Sequence, residues 1–264
     1  MKCYWLNPIF LSEKTMLNEN DLHRYARQVI MKNFDEEGQE KLLKTKCLIV
    51  GAGGLGCPVA LYAASAGFGH IEIYDEDCVE ITNLNRQIAH GNDEIGLNKA
   101  ENLAKKCLAI NPSLHVRSYN KNFNKSTDIT SFDLIFDCSD NSETKYLLNN
   151  LCHSFKKILI SGSAVQMEGQ FSVWKSGINK NYPCYECVFP KTEQKAPITS
   201  CRDAGIIGPI TGLIGCMQVN EAIKEIALKD YLSKAGYLFL YDGFQQNLDK
   251  IKLAKNVNCA TCSK

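Results

Sequence analysis

The sequence predicts an α/β fold: a mostly parallel sheet with helices on both faces, extra C-terminal strands and a structural zinc site. Three observations carry this. Apolar runs alternate with helix-length amphipathic stretches between residues 46 and 164, the pattern of a parallel sheet with crossover helices. A glycine-rich turn, Gly51-Ala52-Gly53-Gly54-Leu55-Gly56, joins the first apolar run to the first such stretch. Two CxxC pairs, Cys184/Cys187 and Cys259/Cys262, stand far apart in the chain.

The elements follow in order. DLHRYARQVIMKN (21–33) is amphipathic and predicts a helix starting near Asn20 or Asp21. Residues 46–50 form the first strand and 55–66 the first crossover helix, where Pro58 is tolerated in the opening turn. HIEIYD (70–75) is the second strand, 98–110 a helix and LHVRSY the third strand. DLIFDC (133–138) is the fourth, followed by a helix over 141–154 and a fifth strand in KILISGSA. GQFSVW, YLFLYDG and DKIKLA come with less helix between them and predict added strands, some antiparallel. Residues 176–206 are rich in Pro, Lys, Thr, Ser and Cys and predict a long functional or mobile loop. The apolar, glycine-studded run 205–228 predicts a buried helix, which a subunit interface or a groove for a partner's tail would equally accommodate.

Composition narrows the function. The chain has 264 residues, 45% hydrophobic, enough for one large core. The expected organisation is an N-terminal extension over 1–17 and a single domain over 18–264, with Met16 an alternative start. Thirty basic residues balance 29 acidic ones, so no basic surface is expected for nucleic acid or an anionic membrane. No apolar stretch reaches membrane-spanning length, and Asn7 and Pro8 interrupt the N-terminal apolar run, against a secretory signal. Thirteen cysteines, an odd number scattered over strands and helices, indicate thiols plus a metal site in a cytoplasmic protein rather than a disulfide framework.

The glycine turn fits a Rossmann-like nucleotide site. One glycine permits the tight turn, one lets backbone N–H groups approach phosphate, and one lets helix and strand pack closely. A ligand-free tight turn would need the same glycines. Asp75 ends the second strand, where a carboxylate accepts bonds from ribose hydroxyls, and Asp77 lies two residues on. To this point NAD and an oxidoreductase fit. Arg86 then follows the acidic strand end, and Lys99 opens a helix, where a cation opposes the helix dipole unless an anion sits nearby. The pair suits a polyphosphate better than a dinucleotide. Asp140 follows the fourth strand; with Glu143 it has capping-box spacing, or it is a Mg²⁺ ligand at the strand ends. The four cysteines suit a tetrahedral, closed and therefore structural zinc site.

Taken together, RYARQ (24–28), GAGGLG (51–56), DEDCVEITNLNRQ (75–87), the Lys of GLNK, DCSDN (137–141), CYEC, SCRDAGIIGP (200–209) and CATC resemble the ubiquitin-activating-enzyme-like adenylyltransferases ThiF, MoeB and HesA, over residues 19 to 262. The resemblance implies ATP and Mg²⁺ in the cleft. It places Gly51, Gly53 and Gly54 against ATP, Asp75 on ribose, and Thr82, Asn83, Leu84, Asn85, Arg86, Gln87 and Lys99 around the nucleotide and its phosphates. Asp140 lies near Mg²⁺, Asn141 is among the cofactor-binding residues, Arg27 reaches the site across a homodimer interface, and zinc sits on Cys184, Cys187, Cys259 and Cys262. The implied catalytic set is Arg27, Arg86, Lys99, Asp140 and Cys201.

The implied reaction is adenylylation of the C-terminal Gly-Gly carboxylate of a ubiquitin-fold sulfur carrier. CVFP and SCRDAGIIGP point to the ThiS-like carrier of thiamine thiazole synthesis, with the MoaD-like molybdopterin carrier as the alternative. Cys201 would join the carrier covalently during sulfur transfer, or is one more thiol. The chain ends two residues past Cys262, so sulfur is expected from a separate donor, a cysteine desulfurase or sulfurtransferase.

Overall fold

The computed structural model describes residues 16–191 and 204–263. One eight-stranded sheet has the order β3-β2-β1-β4-β5-β6-β7-β8. Its strands are β1 Lys46–Val50, β2 His70–Tyr74, β3 His115–Tyr119, β4 Leu134–Asp137, β5 Ile158–Val165, β6 Glu168–Trp174, β7 Tyr237–Asp242 and β8 Asn247–Lys252. The pairs linking β3 through β5 are parallel. From β5 to β8 every pair is antiparallel, so the whole C-terminal extension has that sense, more than the sequence indicated.

The helices are α1 Glu19–Arg24, α2 Ala26–Val29, α3 Asp35–Lys44, α4 Gly56–Ala66, α5 Lys99–Ile110, α6 Ser142–Ser154, the single turn α7 Tyr185–Val188, and α8 Gly208–Ala227. In β1 the side chains alternate between two cores. Cys47 and Ile49 join the α4, α5 and α8 face with Ala63, Leu103 and Ile214. Leu48 and Val50 join the α6 face with Leu148 and Cys152. Being covered on both faces, the central strands read as unbroken apolar runs. The edge strand β8, NLDKIK, is exposed throughout, and its lysines discourage further pairing.

Three expectations need correction. The helix foreseen over 21–33 is broken at Tyr25, which has φ −101° and ψ 13°. The break lets the buried Tyr25 ring pack on Gly67, while its hydroxyl accepts from Asn111 Nδ2 at 2.7 Å. Asn18 caps α1 through a reciprocal bond pair with Asp21, so the helix begins before Asn20. Leu17, assigned to the extension, is buried with Leu22, Tyr25 and Val29. The sequence also gave no sign of α3, whose acidic first turn and basic last turn match the helix dipole.

Candidate nucleotide site and cysteine cluster

A cleft of about 1380 Å³ opens at the carboxyl ends of the parallel strands. The chain runs from β1 outward to β2 and β3 on one side and continues through β4 on the other, so β1 and β4 flank the topological switch point. Such sheets bind ligands there. The glycine turn forms one wall. Gly51 has φ +99°, and a Cβ on it would lie 2.7 Å from the Cys138 carbonyl oxygen. A Cβ on Gly56 would lie 1.9 Å from the Gly51 oxygen. Both positions therefore exclude side chains, one by backbone conformation and contact, the other by contact alone.

Gly51, Gly53, Gly54, Asp75, Arg86, Gln87, Lys99, Asp140 and Asn141 all line this cleft. Asp75 accepts the Ala52 N–H at 2.7 Å and the Asp77 N–H at 2.8 Å. Burial pushes its carboxyl above the ordinary value while these two bonds pull it back. Each oxygen keeps a lone pair for further donors. Lys99 is buried at the start of α5, its Nζ 2.9 Å from Asp77 Oδ2. Asp77 thus supplies an anion that the helix-start lysine needs. Arg86 donates to the Thr82 carbonyl at 2.9 Å and to Asn85 Oδ1 at 3.1 Å.

Thr82, Asn83, Leu84 and Asn85 are not among the residues lining the cleft. Ile81–Asn83 is a 3-10 turn. Asn83 Oδ1 accepts the Glu80 N–H at 3.1 Å and its Nδ2 points to Thr82 Oγ1 at 3.5 Å. The side chains of Thr82 and Asn83 support the turn that presents Arg86. Arg27 is an exposed residue of α2, away from the lining of its own chain's cleft. Cys201 lies outside the described residues.

The capping expectation for Asp140 is wrong. Asn141 is the N-cap of α6, its Oδ1 accepting the Thr144 N–H at 2.8 Å. Asp140 is exposed in the cleft and its carboxylate makes no hydrogen bond among the described residues. The side chain of Asn141 is instead engaged locally.

A buried ion pair unforeseen in the sequence fixes this loop. Lys145 Nζ lies 3.0 Å from Asp137 Oδ2 and 2.9 Å from the Gly162 oxygen. Asp137 Oδ1 accepts from Ser139 N and Oγ at 3.1 and 2.6 Å. Gln218 of α8 donates to the carbonyls of Asp137 and Ile160, both at 3.1 Å. The signal was present: Lys145, Leu148, Asn149 and Cys152 form one buried stripe of α6, and a cation in such a stripe requires a buried anion.

Cys184, Cys187, Cys259 and Cys262 converge, with all sulfurs within 4.8 Å of one another. Individual separations are 3.3, 3.5 and 3.9 Å, close to the ~3.8 Å that tetrahedral bonds of about 2.3 Å impose. Asn149 Nδ2 lies 3.7 Å from Cys184 Sγ, and Asn149 Oδ1 accepts the Tyr185 N–H at 2.8 Å. The four thiols can hold a tetrahedral ion and pin the C-terminus to α7. Away from the cluster, burial pushes the Cys57 and Cys107 thiols up to about 12, which keeps these two unreactive.

Fold and cleft together define an α/β protein of the nucleotide-site type, with a glycine turn at the switch point and a four-cysteine knuckle at one end. Comparison narrows the class. The ThiF family model matches residues 25–261, and the chain belongs to the ThiF family. It is 42% identical over 253 residues to adenylyltransferase and sulfurtransferase MOCS3 of Culex quinquefasciatus, matching 94% of this chain and 57% of that protein. The Aedes aegypti protein of the same name is 42% identical over 251 residues, matching 94% and 56%. The chain therefore spans just over half the length of these relatives.

Among solved structures, E. coli MccB with MccA-N7isoAsn superposes with TM-score 0.77 at 21% identity, over 94% of this chain and 76% of that one. PaaA superposes with TM-score 0.77 at 18% identity, over 96% and 79%. These likenesses concern the fold.

Proposed function

We propose that the chain is an ATP-dependent adenylyltransferase that activates the C-terminal carboxylate of a small ubiquitin-fold sulfur carrier. One observation carries this: a single cleft brings together the glycine turn, Asp75, Arg86, Lys99 and Asp140, in a chain whose relatives are named adenylyltransferases. Those names also disfavour an NAD-dependent oxidoreductase. They carry the MOCS3 label, which favours the MoaD-like molybdopterin carrier over the ThiS-like carrier that the sequence motifs suggested.

In the proposed reaction a carboxylate oxygen attacks the α-phosphorus of ATP. The bond to the β-phosphate oxygen breaks, pyrophosphate leaves, and an acyl-adenylate remains. No proton need be removed from the nucleophile. The task is to align two anions and neutralise the charge that develops. Gly53 and Gly54 bring backbone N–H groups to the phosphates, Asp75 accepts from ribose, and Arg86 and Lys99 supply positive charge. Arg27 of a second copy adds a cation in a homodimer. Asp140 is the carboxylate placed for Mg²⁺, which when bound screens the phosphates. Zinc on the four cysteines would be structural, since all four positions are filled by thiolates.

The test is ATP–pyrophosphate exchange by the purified chain with each candidate carrier. Exchange with the molybdopterin carrier, and not with the thiamine carrier, is expected. Arg86→Ala is expected to lower exchange at least ~100-fold, the size of losing one transition-state charge contact, with bound zinc unchanged. No exchange with any Gly-Gly carrier overturns the reading.

A further inference from the structure

The glycine turn is held from beneath by a residue that the nucleotide reading leaves without a role. His90 is buried, 6% exposed, behind the turn. Its Nε2 lies 3.1 Å from the Ala52 carbonyl oxygen and its Nδ1 lies 2.8 Å from Asn102 Nδ2. Asn102 Nδ2 is also 2.9 Å from Glu94 Oε2. Glu94 pairs with Lys106 at 2.6 Å, and that bond holds its carboxyl down to about 2. An ionised carboxylate only accepts, so the Asn102 amide must turn its NH₂ toward it. The second hydrogen of that NH₂ then points at His90 Nδ1. Nδ1 is an acceptor, and the proton of a neutral imidazole sits on Nε2, facing Ala52. A chain of polar contacts running in from a surface lysine thereby sets the tautomer.

The consequence falls on the next peptide N–H. In a trans peptide the carbonyl and the following N–H point in opposite directions. Drawing the Ala52 oxygen toward His90 turns the Gly53 N–H the other way. Gly53 lines the cleft, and its N–H makes no hydrogen bond among the described residues. On the other side of the same residue, the Ala52 N–H is held by Asp75 at 2.7 Å. Both peptide groups of a wholly buried alanine are thus fixed, each by one side chain.

Resting on the nucleotide reading above, we propose that His90 is a positioning residue: its Nε2–H clamps the Ala52 carbonyl and so aims the Gly53 N–H at the phosphates of ATP. The clamp works only with the neutral ring. Protonating Nδ1 would set two donors, Nδ1–H and the Asn102 NH₂, against each other. Burial lowers the His90 pKa, which keeps the ring neutral, with the Ala52 bond acting in the opposite sense. Three charged groups face the ring: Glu94 and Asp75 favour the proton and Lys99 opposes it.

The experiment measures binding of ATP and of adenosine to the full chain, wild type and variants, at pH 7.5. His90→Leu removes the donor and keeps bulk; His90→Gln restores an N–H near the Nε2 position. Loss of one aimed hydrogen bond is expected to weaken ATP about tenfold and to leave adenosine unchanged, because only ATP carries phosphates to the turn. His90→Gln is expected to recover most of the loss. Asn102→Ala, which leaves the imidazole and frees its tautomer, gives a second route should His90→Leu fail to fold; a loss for ATP alone is expected there too.

The pH dependence gives an independent sign. Wild-type affinity for ATP is expected to drop, relative to His90→Gln, only at a pH below the ordinary imidazole value of about 6.5, because burial lowers the ring's pKa. Equal losses for ATP and adenosine, or no loss for ATP in either variant, overturn the clamp. A wild type that binds no ATP overturns the nucleotide reading with it. ATP binding and exchange that survive His90→Leu and Asn102→Ala overturn the clamp alone.

Discussion

Lys145 shows why single residues beside this cleft cannot be valued by exposure. Its side chain is buried, yet it holds Asp137, Ser139 through Asp137, and the Gly162 carbonyl. The strand end before Asp140 is anchored by that pair. Lys145→Met is expected to leave Asp137 as an uncompensated buried anion and to cost about 3–5 kcal/mol, read as a lowered urea midpoint. An unchanged midpoint would mean that solvent reaches Asp137. Lys99 follows a different logic. Its partner Asp77 is half exposed, so the pair lies open to the cleft, and in the proposed reaction Lys99 turns part of its charge to an arriving phosphate. Such a cation stays available without being solvated, which is the condition for strong electrostatic help.

At the scale of elements, the decisive object is the β4–α6 corner. Two neighbouring residues divide its labour. Asn141 caps α6, and Asp140 is left in the cleft. Asn141→Ala is expected to lower stability by about 1 kcal/mol, the usual worth of an N-cap, with pyrophosphate exchange reduced only modestly. Asp140→Ala is expected to leave the denaturation midpoint within about 0.5 kcal/mol, as for a surface change, while abolishing exchange. A reversed pattern would restore the capping role to Asp140. The same helix links the two ends of the molecule. Its N-terminus carries this corner, and its inward stripe reaches the cysteine cluster through Asn149.

For the whole molecule, the position of Arg27 matters most. It is exposed on α2 and does not line its own chain's cleft. If a second copy brings it in, two defective chains can complement each other. Arg27→Ala and Arg86→Ala proteins, each inactive alone, are expected to regain activity when mixed and allowed to exchange subunits. Each mixed dimer then contains one intact site, about one quarter of all sites under random reassortment. No recovery, with mixed dimers demonstrated by mass after isotope labelling of one variant, would show that each chain completes its own cleft. No described helix is long and apolar enough to cross a membrane, α8 included. One of its glycines serves packing: a Cβ on Gly215 would lie 2.5 Å from the Pro58 ring.

The sequence by itself determined the sheet, its parallel half, the glycine turn and the cysteine knuckle. These follow from local rules: side-chain periodicity, the backbone freedom only glycine has, and the chemistry of thiols paired at two residues' spacing. Lys99 and Asp75 were legible for the same reason, as charges at a helix start and just past a strand end. Tertiary structure alone decided that Tyr25 breaks the first helix and that Asp77 answers Lys99. It also decided that Lys145 and Asp137 meet and that His90 stands beneath Ala52. Each of these is a contact between separate segments, paid for by desolvation that only the packed interior imposes, and a linear pattern carries no record of which buried partner satisfies which group.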